Sequence, residues 1–413
     1  MFDMWNERYI FLAMVLMFDL HVHALPSFES AAMPPSLHSI RRVHQSTATI
    51  QRLRGGGLFR RKQKEQPPPP PPPVVIPRKR TFRDIYFKVI ETLTLLFPLW
   101  TFVLSGIALY NPDSFGWLTT EPGTLFSLFG RKVEMDPYSL FLSVVMLSIG
   151  TSLNAKDLYR VRDNLYPIGI AYVCRYAMTP LLGLLVSRFL SESLATGLIL
   201  LSCCPGSQAS NVACFIAGGD LPVSILMTLM STVTCAVMTP LLLQLIVGLK
   251  ISIDGVGMCT SMFQVVLMPI LTGLVLNQYL PSVVSRIKEV TPLIGVLLTS
   301  CLVAAPVAGV RDELLNGGLE LGFPVILLHL LSFLAGFSLP RYLLGMSERM
   351  SRTIAIETGM QSAALGYLLA MKHFENPLIA VPSAVGVLVM SGLGATFAVA
   401  WRLKDNLPVP LWP

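Results

Sequence analysis

Three ionisable side chains lie deep inside apolar stretches of this chain: Arg175, His329 and Glu357. A charge placed in hydrocarbon is costly and marks function by default. Glu357 opens the run Glu357-Thr358-Gly359-Met360-Gln361-Ser362. Ser224 and Thr228 are four residues apart, so on a helix they share a face and can aim two hydroxyls at one point. With Ser210, Asn211 and the Glu357 carboxylate they compose an all-oxygen set carrying one formal negative charge. Hard cations favour oxygen ligands, and a single charge suits a monovalent ion better than calcium or magnesium. Glu357 therefore reads as a cation ligand or a proton carrier. Taken alone, Ser224 and Thr228 would read as ordinary helix hydrogen bonders. His329, within the apolar run 327–331, reads as a structural histidine rather than a proton relay.

Two interrupted stretches must position these groups. Cys203-Cys204-Pro205-Gly206-Ser207-Gln208-Ala209-Ser210-Asn211 lies inside the apolar segment 194–217. Proline removes a backbone donor and glycine adds freedom, so a helix should break there. In lipid, such a break is tolerated only where it faces protein or a water-filled cavity. Gly206-x-Gln208 in one half answers Gly359-x-Gln361 in the other. Paired interrupted helices in matching positions of two halves point to the binding site of a secondary transporter.

The remainder of the sequence agrees with a membrane setting. The chain has 413 residues, 53% of them hydrophobic and only 13% charged; a soluble domain would carry about a quarter charged residues. The reading is an all-α polytopic membrane protein with a ten-span domain at 88–405. Its spans are 88–110, 137–155, 166–187, 194–217, 222–247, 255–279, 290–309, 319–345, 352–371 and 379–401. Ten spans divide into two five-helix halves, as an inverted repeat would. Lys and Arg concentrate in the loops on the N-terminal side, from Arg78-Lys79-Arg80 to Arg402 and Lys404, which puts both termini on the inner side. The net charge of +7 thus reflects topology and targeting, not nucleic-acid binding. The seven cysteines all fall in apolar segments, as fillers rather than as a disulfide framework or a zinc site.

Residues 1–24 read as a signal-peptide-like segment, with an apolar run at 10–18 too short to span. Residues 25–66 have transit-peptide composition; the alternative is a disordered cytoplasmic tail. Residues 67–87 hold an unbroken proline run, a stiff spacer, and then a basic boundary. Residues 406–413 form a C-terminal tail. A signal followed by a transit-like region is similar to the bipartite leaders of algae with complex plastids, so the expected location is a plastid envelope.

At the interrupted stretches the chain resembles the bile acid:sodium symporter family, in particular its plastid branch. The resemblance rests on Cys203-Cys204-Pro205-Gly206 with Ala209-Ser210-Asn211-Val212, on Met227-Thr228 and Met238-Thr239-Pro240, and on Glu357-Thr358-Gly359-Met360-Gln361. Lys372-His373-Phe374, Asn376-Pro377-Leu378 and Ala380-Val381-Pro382 extend it. It implies panel and core domains, two crossed discontinuous helices in spans 4 and 9, and sodium-driven uptake of an organic anion by alternating access. It implies a first sodium site at Ser210, Asn211, Ser224, Thr228 and Glu357. It implies a second at Glu357, Gln361 and the backbone of Thr358 and Met360. The remaining ligand of that second site is usually a glutamine, where this chain has Arg175. A guanidinium stays protonated and offers a cation no acceptor. An Arg175–Glu357 ion pair and loss of the second sodium are therefore expected. Ser207, Gln208 and Ser362, which also depart from the family's usual residues, would line the crossing where a small carboxylate docks.

Sodium is the expected coupling ion, with no organic cofactor. The expected partners are a small organic anion of monocarboxylate or 2-oxo-acid type and the lipid bilayer. One rival is a sodium-independent or proton-coupled carrier created by Arg175. Another is a non-transporting receptor or scaffold. An intramembrane enzyme is excluded by the lack of an aspartate pair, HExxH or GxSxG motif.

Overall fold

The computed structural model describes residues 97–405 apart from 120–122, 129–130, 154–160, 163, 249–253, 283 and 285–290. The expectations for 1–24, 25–66, 67–87 and 406–413, and for the first part of span 1, lie outside the described residues. Twelve principal helices follow in order: α1 (Phe97–Tyr110), α2 (Pro137–Ser152), α3 (Leu165–Ser187), α4 (Glu192–Ser202), α5 (Ala209–Ile216), α6 (Leu221–Val247), α7 (Gly255–Tyr279), α8 (Thr291–Gly309), α9 (Arg311–Ser338), α10 (Glu348–Gly359), α11 (Ala363–His373) and α12 (Val381–Lys404). Between α1 and α2 lies an antiparallel hairpin, β1 (Gly123–Leu128) and β2 (Arg131–Met135). The hairpin lies outside the helices and leaves the membrane domain itself helical. It is short and sits in a connection, where no strand-length alternation against a buried face announces it.

The protein is a polytopic membrane protein. Five helical stretches among the described residues are long and apolar enough to cross a bilayer: Leu165–Ser187, Leu221–Val247, Gly255–Tyr279, Glu320–Leu343 and Pro377–Lys404. Large apolar side chains such as Leu181, Val237, Leu245 and Val256 stay exposed on these helices. That is affordable against lipid and not against water.

Local chemistry sets the helix starts. Asp136 caps α2 by accepting from Ser139 N at 2.8 Å, with Pro137 in the first turn, where the missing donor is harmless. Asp220 caps α6 the same way before Leu221-Pro222, and Asp254 caps α7. α3 and α7 each contain a π-turn, at Cys174–Met178 and Phe263–Leu267, and α9 runs on into a third at Leu339–Leu343. The first two run directly into Thr179-Pro180 and Met268-Pro269, and the third contains Pro340. A proline lacks the donor that would close the regular turn, and the wider turn absorbs the fault. In α3 the π-turn contains Arg175.

α1, α2, α7 and α8 pack on one another. The α2–α7 contact is backbone to backbone: a Cβ added to Gly150 would lie 2.2 Å from the Ile270 carbonyl oxygen. The other helices form a second group, with α9 against α10 and α12, α3 against α4, and α5 against α6 and α12. The interrupted segments belong to this second group.

Candidate functional site

The segment expected as span 4 is two helices, α4 and α5, and the segment expected as span 9 is two helices, α10 and α11. α4 stops because Pro205 has no N–H to give to Leu201. Its last donors, Cys203 N and Cys204 N, fold onto Ile199, Leu200 and Leu201 carbonyls. α10 stops at Gly359. The backbone groups freed at the two breaks satisfy each other. Gly206 and Gln361 form an isolated antiparallel bridge. Ser207 N donates to the Met360 carbonyl at 2.9 Å, and Ser362 N donates to the Pro205 carbonyl at 2.8 Å. Gly206 N donates to Ser231 Oγ at 3.2 Å. This is how irregular backbone survives away from water.

Two further side chains brace the junction. Thr239 Oγ1, beside Pro240 of α6, donates to the Cys203 carbonyl at 2.8 Å. His329 of α9, fully buried, places Nδ1 at 2.8 Å from the Gly359 carbonyl oxygen. The histidine thus occupies the end of α10, in keeping with a structural part.

The Glu357 carboxylate sits on one side of this junction, 3% exposed. Its Oε1 accepts from Ser210 Oγ at 2.7 Å and from Ser224 Oγ at 2.5 Å, and its Oε2 accepts from Thr228 Oγ1 at 2.9 Å. Asn211 Oδ1 lies 3.0 Å from Ser224 Oγ and 3.4 Å from Thr228 Oγ1. All five residues expected at a first cation site therefore converge. Three elements bring them: Ser210 and Asn211 come from the first turn of α5, Ser224 and Thr228 from one face of α6, and Glu357 from the last turn of α10. The donor set is wholly oxygen with one charge. Its hydroxyls can rotate between donating to the carboxylate and turning a lone pair to a cation. Among the described residues no cluster of three His, Cys, Asp or Glu side chains offers a site of the divalent-metal kind.

Arg175 lies on the other side, also 3% exposed. The expected ion pair with Glu357 is not formed: among the described residues no Arg175 nitrogen lies within 4.0 Å of the carboxylate. Arg175 Nη2 donates instead to the Met360 carbonyl at 3.2 Å. The reason is the junction backbone between the two groups. A Cβ built on Gly206 would lie 3.2 Å from Glu357 Oε2, 3.4 Å from Ser231 Oγ and 3.6 Å from Arg175 Nη2. Charge therefore faces charge across Gly206, where an added methyl would press on the carboxylate. Gln361 is fully buried, and neither its Oε1 nor its Nε2 has a partner. Thr358 Oγ1 and Arg175 Nη1 are likewise buried without one. A cavity lined by Tyr172, Met227, Met230, Ser231, Arg175 and Glu357 reaches this side from between α3 and α6.

Of the residues assigned to anion docking, Ser207 is buried, with Oγ accepting from Ala209 N at 3.3 Å. Gln208 and Ser362 are half-buried. Gln208 Nε2 points to Met146 Sδ of α2, 3.9 Å away. Ser231 was not singled out by sequence reasoning. It continues the Ser224–Thr228 face by three residues, a spacing that could have found it.

Comparisons with known proteins agree with these motifs. The profile described as the sodium bile acid symporter family matches residues 139–317. A rice protein named probable sodium/metabolite cotransporter BASS2, chloroplastic, is 44% identical over 77% of this chain and 72% of its own length. The rice and Arabidopsis thaliana proteins named probable sodium/metabolite cotransporter BASS1, chloroplastic, are 36% and 35% identical. Those matches cover 78% and 79% of this chain, and 75% and 78% of theirs.

Proposed function

The chain belongs to the sodium bile acid symporter family, and on that premise we propose that it is a secondary active transporter, not an enzyme. It moves a small organic anion of monocarboxylate or 2-oxo-acid type together with sodium. The observation that carries this reading is the convergence of Ser210, Asn211, Ser224 and Thr228 on Glu357. Sodium, a hard monovalent cation, matches that donor set, and no organic cofactor is required. The sodium/metabolite names of its relatives point the same way.

Ten spans in two inverted five-helix repeats fit the paired interruptions, with α1, α2, α7 and α8 as the panel and the other helices as the core. Anion docking falls to Ser207, Gln208 and Ser362, beside half-helix N-termini whose dipoles favour negative charge. Gln208 reaches from the core toward α2, so the docked anion would bridge the two groups. Alternating access then amounts to the core rocking against the panel. The contacts it must break include Lys372 Nζ–Asp136 Oδ1 at 2.9 Å, which joins α11 to the start of α2. A plastid envelope is the proposed location, given relatives named chloroplastic; the leader composition suggests an alga with a complex plastid.

Arg175 favours a second reading, a carrier independent of sodium or coupled to protons. Purified protein in liposomes, offered a panel of labelled monocarboxylates under sodium, potassium or pH gradients, separates the two. Sodium-dependent uptake of at least one acid is expected. Equal uptake in potassium would refute sodium coupling, and binding without uptake would favour the receptor.

A further inference from the structure

Arg175 and Glu357 are the formally charged side chains buried at the junction. The remaining buried charge among the described residues, Arg352, is engaged elsewhere, by Glu348 and Asp405. The junction therefore holds one permanent positive and one negative charge, since a guanidinium does not titrate in any cellular range.

The atoms around Arg175 tell what it displaces. Its Nη2 occupies the Met360 carbonyl, whose other lone pair takes Ser207 N. Gln361 stands opposite Gly206 in the antiparallel bridge. Directly opposed residues turn their Cβ atoms to the same face, so Gln361 leaves the backbone on the face where Gly206 meets Glu357 Oε2 and Arg175 Nη2. Its amide is buried without a partner. Without the guanidinium, the Met360 carbonyl, the Gln361 amide oxygen and Glu357 Oε2 would remain: hard oxygen ligands beside the same carboxylate. That is a second cation's place.

We propose that Arg175 is a resident cation in the place of a second transported one, so that the carrier takes one sodium with one monoanion and crosses the membrane with no net charge. The inference rests on the sodium-coupled reading above and deepens it in two respects. The membrane potential adds nothing to uptake, so the anion is concentrated at most by the sodium ratio. The substrate class narrows to monovalent acids, because a dianion would leave the loaded junction negative.

The sodium count is measured first without substrate. The thermal unfolding of the purified full chain is followed against the logarithm of sodium concentration, with choline keeping ionic strength constant; the slope reads the number of ions bound on folding. Wild type and Arg175→Lys should show one sodium, and Arg175→Gln two. In proteoliposomes taking up labelled pyruvate, an inside-negative potential clamped with valinomycin should leave wild-type uptake unchanged and raise that of Arg175→Gln several-fold. A two-sodium slope in wild type, or wild-type uptake accelerated by the potential, overturns the proposal. A wild-type slope of zero overturns sodium coupling itself. Should Arg175→Gln fail to fold, the slopes of wild type and Arg175→Lys still decide.

Discussion

The two sides of Glu357 differ in a way that separates their tasks. On the side of α5 and α6, both carboxylate oxygens accept hydroxyl protons, and Asn211 closes the ring. On the side of α3, Arg175 Nη1 and the Gln361 amide are buried without partners. One carboxylate thus borders a set of rotatable oxygens on one side and a buried guanidinium on the other. On the proposal above, ion number is set by that neighbour's charge while the shared carboxylate and the backbone stay the same.

Removing the shared carboxylate breaks both sides at once. Glu357→Gln should abolish sodium-dependent uptake and sodium-linked stabilisation. It should also cost about 3–5 kcal/mol in stability, because Arg175 is left as an uncompensated buried charge. Unfolding of the double variant with Arg175→Gln checks the cause: it should regain much of that loss, and equal instability of single and double variants would count against it. Asn211→Ala and Thr228→Ala weaken one side only. Each should raise the half-saturating sodium concentration by roughly 5–30-fold, the equivalent of ~1–2 kcal/mol, with the wild-type sodium count kept.

Gly206→Ala tests the partition between the sides. Its methyl would stand 3.2 Å from Glu357 Oε2, so a few-fold loss of sodium affinity is expected, read in the same titration. The smallest effect lies away from the junction, at Glu348. Hydrogen bonds from Lys404 and then from Arg352 draw its carboxyl down to about 2 from the usual 4.5. A depressed carboxyl stabilises the fold above its unfolded value and ceases to do so as it protonates. Wild type should therefore lose a small increment of stability as pH falls from about 4.5 toward 2, and Glu348→Gln should lack that increment.

Much of this was legible in the chain. Pro205 followed directly by Gly206 marked a break, because a missing donor is joined there to a backbone free to turn, whereas Pro240 and Pro324 stay inside continuous helices. Ser224 and Thr228 had to share a face, because helical periodicity admits no other arrangement. The motif residues at 203–212 and 357–361 identified the family, and the breaks fall where the sequence placed them. The hairpin at 123–135 was not legible, since two strands of five or six residues have too little alternation to stand out within the connection between α1 and α2.

Residue types, spacing and hydropathy by themselves determined a membrane protein with two broken spans and a single acid among hydroxyls. Only the tertiary structure decided that Gly206 pairs with Gln361, that His329 occupies the Gly359 carbonyl, and that Arg175 binds the Met360 carbonyl rather than Glu357. The physical reason is range. Backbone donors and helical faces are set within a few residues, whereas the partner of a buried charge depends on which atoms the packing of distant helices brings within a few ångströms.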